Sequence, residues 1–346
     1  MMHIYFVSLG CDKNLVDSEK MLALLTKEGY ELTDEPEQAE IIVVNTCAFI
    51  HDAKQESIET LLELAEYKKT GKCKVLIASG CLAERYQDTI LEEMPEIDGV
   101  IGTTAYDDIA VVVKKALGGE HAALTKELDY LPVHLTDRVT SGMSHVGYLK
   151  ISEGCNKNCT YCIIPSMRGH YRSVPMEDLI EEAEKLAEKG IRELILVAQE
   201  TTLYGVDLYH EKKLPELLRR LSEIRDISWI RVLYCYPEEI TVELAQELRE
   251  NPKVCHYLDL PIQHCNDEVL KRMGRRTTKA ELIEKIKMLR KEIPDIALRT
   301  TLISGFPGET NEQHEECIEF VREMKFDRLG VFPYSEEEGT KAADYP

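Results

Sequence analysis

The chain has 346 residues, of which 44% are hydrophobic, and 42 basic against 63 acidic side chains give it a net charge of −21. That length suits roughly two domains with sizeable cores. The acidic balance disfavours a surface for bare nucleic acid, which needs Lys and Arg against phosphate, but it admits a basic protein partner.

No apolar run approaches the roughly 18 residues of a membrane-spanning helix, so none is expected. The opening Met1-Met2-His3-Ile4-Tyr5-Phe6-Val7 lacks the basic start and cleavage site of an export signal. The 11 cysteines then imply a reducing, cytoplasmic compartment with thiols available to metals. An odd number cannot pair completely.

In chain order, Ile4–Ser8 reads as a strand and Val16–Lys27 as a helix, with Met21, Leu22 and Leu25 on one face. Ile41–Asn45 is a buried strand, followed by a helix from Asp52 to Lys69. Lys74–Ala78 is a third strand, followed by a helix from Ala83 to Glu93. Val100–Ile101 starts a fourth strand, and Asp107–Ala116 is another helix. The alternation predicts an open parallel sheet with flanking helices, Rossmann-like, over residues 1–120.

Cys11, Cys47 and Cys81 each follow one of the first three strands. The carboxyl ends of parallel strands share one edge, where ligands bind. Each cysteine also precedes a helix, whose N-terminal dipole favours a thiolate. A single such cysteine reads as a small buried hydrophobe. Three at the same topological position, two of them after Gly, favour a metal cluster.

Residues 121–144, interrupted by Pro132 and Gly142, read as a linker. From 145 to 346 six strands are expected, at Val146–Ile151, Glu193–Ala198, Trp229–Leu233, Tyr257–Leu260, Ala297–Ile303 and Arg328–Val331. Helices are expected between them at Glu177–Lys189, Leu214–Ile224, Thr241–Glu250, Lys279–Lys291 and Gln313–Met324. Six such units make a partial (β/α)6 barrel, with its functional loops at the carboxyl ends of the strands.

The loop after the first barrel strand holds Cys155, Cys159 and Cys162. Three thiolates on a four-iron cubane leave one iron open to a substrate or cofactor, whereas electron-transfer clusters take four. A zinc ion with a distant fourth ligand is the alternative, although structural zinc favours cysteine pairs in two copies.

Around that mouth, Gln199 and Glu200 supply polar groups for a cofactor's amino group. Arg299 is either a carboxylate clamp or a structural ion pair. Gly305, Phe306 and Pro307 offer close backbone approach and an apolar wall. His264 reads as pocket wall. Cys73, Cys235, Cys255, Cys265 and Cys317 read as core or surface, and Lys271, Arg272, Arg275, Arg276 and Lys279 as a solvated charge cluster.

Several segments together resemble the radical SAM methylthiotransferases: Gly10-Cys11-Asp12-Lys13-Asn14-Leu15-Val16-Asp17-Ser18-Glu19, Asn45-Thr46-Cys47, Gly80-Cys81 and the Cys155 loop. Ile164-Pro165-Ser166-Met167-Arg168-Gly169, Leu258-Asp259-Leu260-Pro261-Ile262-Gln263-His264 and Gly305-Phe306-Pro307-Gly308-Glu309 also fit, as do Phe332-Pro333-Tyr334-Ser335 and Gly339-Thr340. The resemblance implies two 4Fe-4S clusters. The one on Cys155, Cys159 and Cys162 would cleave S-adenosyl-L-methionine to a radical. The one on Cys11, Cys47 and Cys81 would deliver sulfur, and a second S-adenosyl-L-methionine would supply the methyl group.

One branch of the family modifies an isopentenylated adenosine in tRNA. The other modifies the β-carbon of an aspartate in ribosomal protein uS12. Cys11-Asp12-Lys13-Asn14-Leu15-Val16-Asp17 and Gln199-Glu200-Thr201-Thr202-Leu203-Tyr204-Gly205 resemble the uS12 branch. The resemblance further implies the small ribosomal subunit as substrate, a one-electron donor such as flavodoxin or ferredoxin, and a C-terminal TRAM domain, which has no counterpart before Pro346. A non-catalytic iron–sulfur protein is the remaining alternative.

Overall fold

The computed structural model describes residues 2–132 and 137–346. Met1 and the stretch 133–136 of the expected linker lie outside the described residues. The chain divides into two compact units, Met1–Ser141 with Ile164–His170, and Gly142–Ile163 with Tyr171–Pro346.

The first unit holds β1 (His3–Ser8), β2 (Glu31–Leu32), β3 (Ile41–Thr46), β4 (Val75–Gly80), β5 (Gly99–Ile101) and β6 (Ala122–Leu124). All pair in parallel in the order β2-β1-β3-β4-β5-β6. Its helices are α1 (Asp12–Lys27), α2 (His51–Ala65), α3 (Tyr67–Thr70), α4 (Cys81–Arg85), α5 (Gln87–Glu93) and α6 (Ile109–Leu117). Every residue of β3 and β4 is buried, as expected of a parallel sheet covered on both faces. Ile4, Met21, Leu25, Ile41, Ile77 and Val112 form part of the core between sheet and helices. Strand β6 falls inside the segment expected as linker: Ala122 pairs with Gly99 and Leu124 with Ile101.

The second unit begins with β7 (Val146–Lys150) and an antiparallel pair, β8 (Ser152–Glu153) and β9 (Arg172–Ser173). The strands β10 (Glu193–Val197), β11 (Trp229–Val232), β12 (Val254–Gln263), β13 (Ala297–Ser304) and β14 (Arg328–Pro333) follow. β7 and β10–β14 pair in parallel in unbroken chain order, with β7 and β14 as the edges, so the sheet is an open (β/α)6 barrel. The short helix α7 (Ile164–Arg168) belongs to the first unit. The rest are α8 (Met176–Glu188), α9 (Val206–Tyr209), α10 (Leu214–Ser222), α11 (Val242–Glu250), α12 (Asp267–Arg272), α13 (Lys279–Glu292) and α14 (Asn311–Met324). Capping boxes fix the starts of α13 (Thr278 with Glu281) and α14 (Thr310 with Gln313).

All six barrel strands lie where the apolar runs place them. Strand β12 runs further, through Pro261 to Gln263, with its register slipping between Leu260 and Gln263. Proline removes a ladder donor and is tolerated in a strand where such an irregularity occurs. Gln263 ends the strand at φ +70°. Among the described residues no helix is long and apolar enough to cross a membrane.

Candidate active site

In the first unit the parallel register levels the ends of three strands: Ser8 pairs with Asn45, and Asn45 with Ser79. The turns after them carry Cys11 at the N-cap of α1, Cys47 just beyond β3, and Cys81 as the first residue of α4. The order of the sheet reverses at β1, which lies between β2 and β3, so this edge is a switch point where ligands bind. Gly10 permits the close approach. Its φ is +87°, and a Cβ there would sit 2.8 Å from Cys47 Cβ.

A polar frame surrounds the three thiols. Asn14 Nδ2 donates to the carbonyls of Leu9 and Thr46, each at 3.0 Å, which ties the turn after β1 to the end of β3. Ser57 Oγ accepts from the Cys47 amide at 2.9 Å. The buried guanidinium of Arg168 donates to Asp17 Oδ2 at 2.8 Å, to Asn14 Oδ1, and to Cys81 Sγ at 3.5 Å. Burial pushes the Cys47 thiol up to about 12. The neighbouring sulfurs of Cys81 and Cys11 add to this, and Arg168 opposes it. Arg168 thus places a fixed cation beside the Cys81 sulfur. Arg168 lay in a segment singled out from sequence, but its role did not show there.

In the second unit the loop from Gly154 to Ile163 carries Cys155, Cys159 and Cys162, the first two buried and the third half-buried. Thr160 pins the loop. Its amide donates to the Met273 carbonyl at 2.9 Å, its hydroxyl to the Arg272 carbonyl at 2.8 Å, and its carbonyl accepts from the Ala342 amide at 2.9 Å. Gly274, at φ +73°, admits the loop, since a Cβ there would sit 2.6 Å from the Asn158 carbonyl oxygen. Cys155 Sγ accepts from the Lys157 amide at 3.4 Å, and Cys159 Sγ lies 3.8 Å from the Tyr236 hydroxyl. Burial raises the Cys155 thiol to about 11, with the charges of Cys159 and Glu200 pushing the same way.

Arg275 departs from the expected solvated cluster. Its side chain is buried and its guanidinium stacks 4.3 Å from the centre of the Tyr236 ring. The ring face offers a cation what water otherwise would.

Gln199 and Glu200 follow β10. Gln199 Nε2 donates to Glu153 at 2.7 Å, and Glu200 accepts from the Thr202 amide at 2.9 Å and from its hydroxyl. The Gln199 amide oxygen, Oε1, and the second Glu200 oxygen, Oε2, are buried without a hydrogen-bond partner. Buried acceptors left over in this way suit a ligand that brings donors. Burial raises the Glu200 carboxyl to about 7. An acid held above its ordinary value stabilises the fold fully below that value, and the contribution is lost as pH rises toward 7. We expect Glu200→Gln to flatten the pH dependence of stability across that window, by on the order of 3 kcal/mol. Urea midpoints for both proteins at about pH 5 and about pH 8 check this; parallel curves would reject it.

Arg299, open between two roles from sequence, is in an ion pair with Asp259 at 2.6 Å. Gly305 is exposed and Pro307 half-buried. Phe306 faces inward rather than lining an open wall: it is 1% exposed and edge-packed on Tyr161, Tyr334 and Tyr345 beneath the cysteine loop. His264 is buried beside Glu309. Cys265 and Cys317, read from sequence as core or surface, converge on His264.

A profile of the radical SAM superfamily matches residues 149–321, and one described as uncharacterized protein family UPF0004 matches 3–102. Among solved structures, TsrM from Kitasatospora setae, a radical S-adenosylmethionine methyltransferase, shares the fold. Its TM-score is 0.71 at 15% identity, over 99% of this chain and 74% of that one. The open barrel and its cysteine loop define a radical SAM enzyme, the class that uses S-adenosyl-L-methionine with an iron–sulfur cluster.

Among curated proteins, the ribosomal protein uS12 methylthiotransferase RimO of Lachnoclostridium phytofermentans is 62% identical over 342 residues, covering 99% of this chain and 78% of that protein. The RimO of Clostridioides difficile is 49% identical over 346 residues, covering 100% and 78%. The chain belongs to the RimO family of methylthiotransferases.

Proposed function

We propose that this chain adds a methylthio group to the β-carbon of an aspartate in ribosomal protein uS12. Similarity to RimO proteins over 99% of this chain carries this reading. It favours the uS12 branch over the tRNA branch, and an enzyme over a non-catalytic iron–sulfur protein. In this reading the first unit, with β6 included, forms the methylthiotransferase domain and the second unit the radical SAM barrel.

Cys155, Cys159 and Cys162 would hold one 4Fe-4S cluster, and Cys11, Cys47 and Cys81 a second. With S-adenosyl-L-methionine, the barrel cluster supplies the radical chemistry that an unactivated C–H bond requires. The surrounding residues are suited to hold these groups. Gln199 Oε1 and Glu200 Oε2 offer buried acceptors to an ammonium group. The backbone amide of Lys157 steadies the Cys155 thiolate, and the Arg168 guanidinium offsets thiolate charge at the other site. Arg299, already neutralised by Asp259, serves better to hold β12 and β13 together than to clamp a carboxylate. A ferredoxin- or flavodoxin-like donor would supply electrons.

The test is turnover. The chain, reconstituted without oxygen and supplied with S-adenosyl-L-methionine, sulfide, reductant and uS12, is expected to yield a uS12 peptide with methylthio in place of one hydrogen at aspartate. Cleavage of the cofactor with uS12 unchanged, or a methylthio group on tRNA adenosine instead, would overturn it.

A further inference from the structure

Away from the six cysteines assigned above, the end of β12 and the middle of α14 bring three other metal-binding side chains together. A donor atom from each of His264, Cys265 and Cys317 lies within 4.8 Å of the other two. All three are buried, at 1%, 0% and 6% exposure. Among the described residues no other group of His, Cys, Asp and Glu converges so tightly. Donors on one tetrahedral zinc ion stand about 3.5 Å apart, given bonds of about 2.0–2.3 Å. Thiolates of a cubane stand on different irons and are wider apart. This spacing suits a single ion rather than a cluster.

The tautomer of the histidine is already fixed. Nδ1 of His264 accepts the Asn266 amide at 3.0 Å, so that nitrogen carries no proton. Nε2 therefore carries the proton and donates to Glu309 at 3.2 Å. A carboxylate on the far nitrogen is the usual support of a metal-binding imidazole, because it fixes the tautomer and raises the basicity of the near nitrogen. Glu309 is itself held by His314 Nδ1 at 3.1 Å and by the amides of Gly305 and Phe306 at 2.6 and 3.0 Å. His264 and Cys317 also line a cavity of about 340 Å3, shared with Glu309, His314, Leu302 and Val331.

We propose that His264, through the unprotonated ring nitrogen its tautomer leaves, and the sulfurs of Cys265 and Cys317 bind one thiophilic divalent cation of the zinc class, which pins α14 to the end of β12. Two thiolates and a neutral imidazole balance the charge of such an ion, as burial demands. On binding, both thiols give up their protons to solvent, and the Asn266 amide yields its place at Nδ1 to the metal. The fourth position of a tetrahedral ion would be left to water, and the site does not depend on the proposed turnover.

Cobalt(II) is the probe. The full chain with its six cluster cysteines replaced by alanine, kept without oxygen, is titrated with cobalt. The expected result is a thiolate-to-cobalt charge-transfer band with intense tetrahedral ligand-field bands, saturating at one ion per chain and bleached by zinc. Cys265→Ser with Cys317→Ser on the same background should lower cobalt affinity at least tenfold and abolish the charge-transfer band. No such band in the background, or cobalt binding unchanged by the serine pair, overturns the proposal. If the six-alanine background does not fold, zinc is counted in the iron-loaded wild-type chain and in its Cys317→Ser variant after dialysis against chelator. One zinc retained by the wild type and lost by the variant supports the site. No zinc in either, or a Cys265–Cys317 disulfide found by peptide mapping, sinks it.

Discussion

Replacing Cys155, Cys159 and Cys162 together by alanine should lower the iron content from about eight to about four per chain and abolish reductive cleavage of S-adenosyl-L-methionine. The loop they share is clamped by three backbone-directed hydrogen bonds at Thr160, none of which involves a cysteine side chain. The barrel core is built instead from residues such as Leu149, Leu196, Leu260 and Leu298. The variant should therefore keep its fold while losing its cofactor chemistry. The matching change of Cys11, Cys47 and Cys81 should remove the same amount of iron and leave cleavage intact, while methylthio transfer to uS12 stops. Iron counting and product analysis on both variants separate the roles. Cleavage surviving the first triple change, or disappearing with the second, would contradict the assignment of radical chemistry to the barrel loop. Zinc found in place of iron in the unaltered protein would do the same.

The second large effect is expected at Arg168. Its guanidinium is buried and answers Asp17, Asn14 and the Cys81 sulfur at once. Removing one member of a buried pair strands the other charge, at a cost of about 3–5 kcal/mol. Arg168→Ala should lower the unfolding midpoint of the first unit by a corresponding amount and reduce iron loading on Cys11, Cys47 and Cys81. Arg168→Lys should recover only part of both, because an ammonium cannot reproduce the planar fork that spans carboxylate, amide and thiol. Denaturant titration paired with iron analysis measures the two effects. An unchanged midpoint with full iron would show that Arg168 is dispensable.

The elements legible in the sequence are those with strong periodicity or burial. Strands β3 and β4 are wholly apolar in their first four residues and were placed to within two residues. Strand β2 is two residues long and both are exposed, so it carries no alternation to read. Strand β6 is three residues inside a polar stretch, and only pairing with β5 defines it. Pro261 reads as the end of a strand, yet β12 continues through it because the register slips there.

The same contrast holds at the sites. Three cysteines in one loop, or three after successive strands, announce themselves by spacing. Arg168 does not, because its partner Asn14 is 154 residues away and nothing local marks the pair. Arg275 was misread because a run of cations looks solvated until an aromatic face is found beside one of them. Cys265 and Cys317 are likewise joined only by the packing of α14 against the barrel.

The interleaving of the two units has a consequence for synthesis. The first unit needs α7, which carries Arg168, whereas Thr160 in the barrel loop gains the last of its three anchors only when Ala342 exists. At about 5–20 residues per second, the ribosome delivers Ala342 roughly ten to thirty seconds after Arg168. A nascent chain can therefore close its first cysteine site while the loop of the second is still incompletely anchored. The two cysteine sites should therefore take shape in a fixed order, set by the direction of translation.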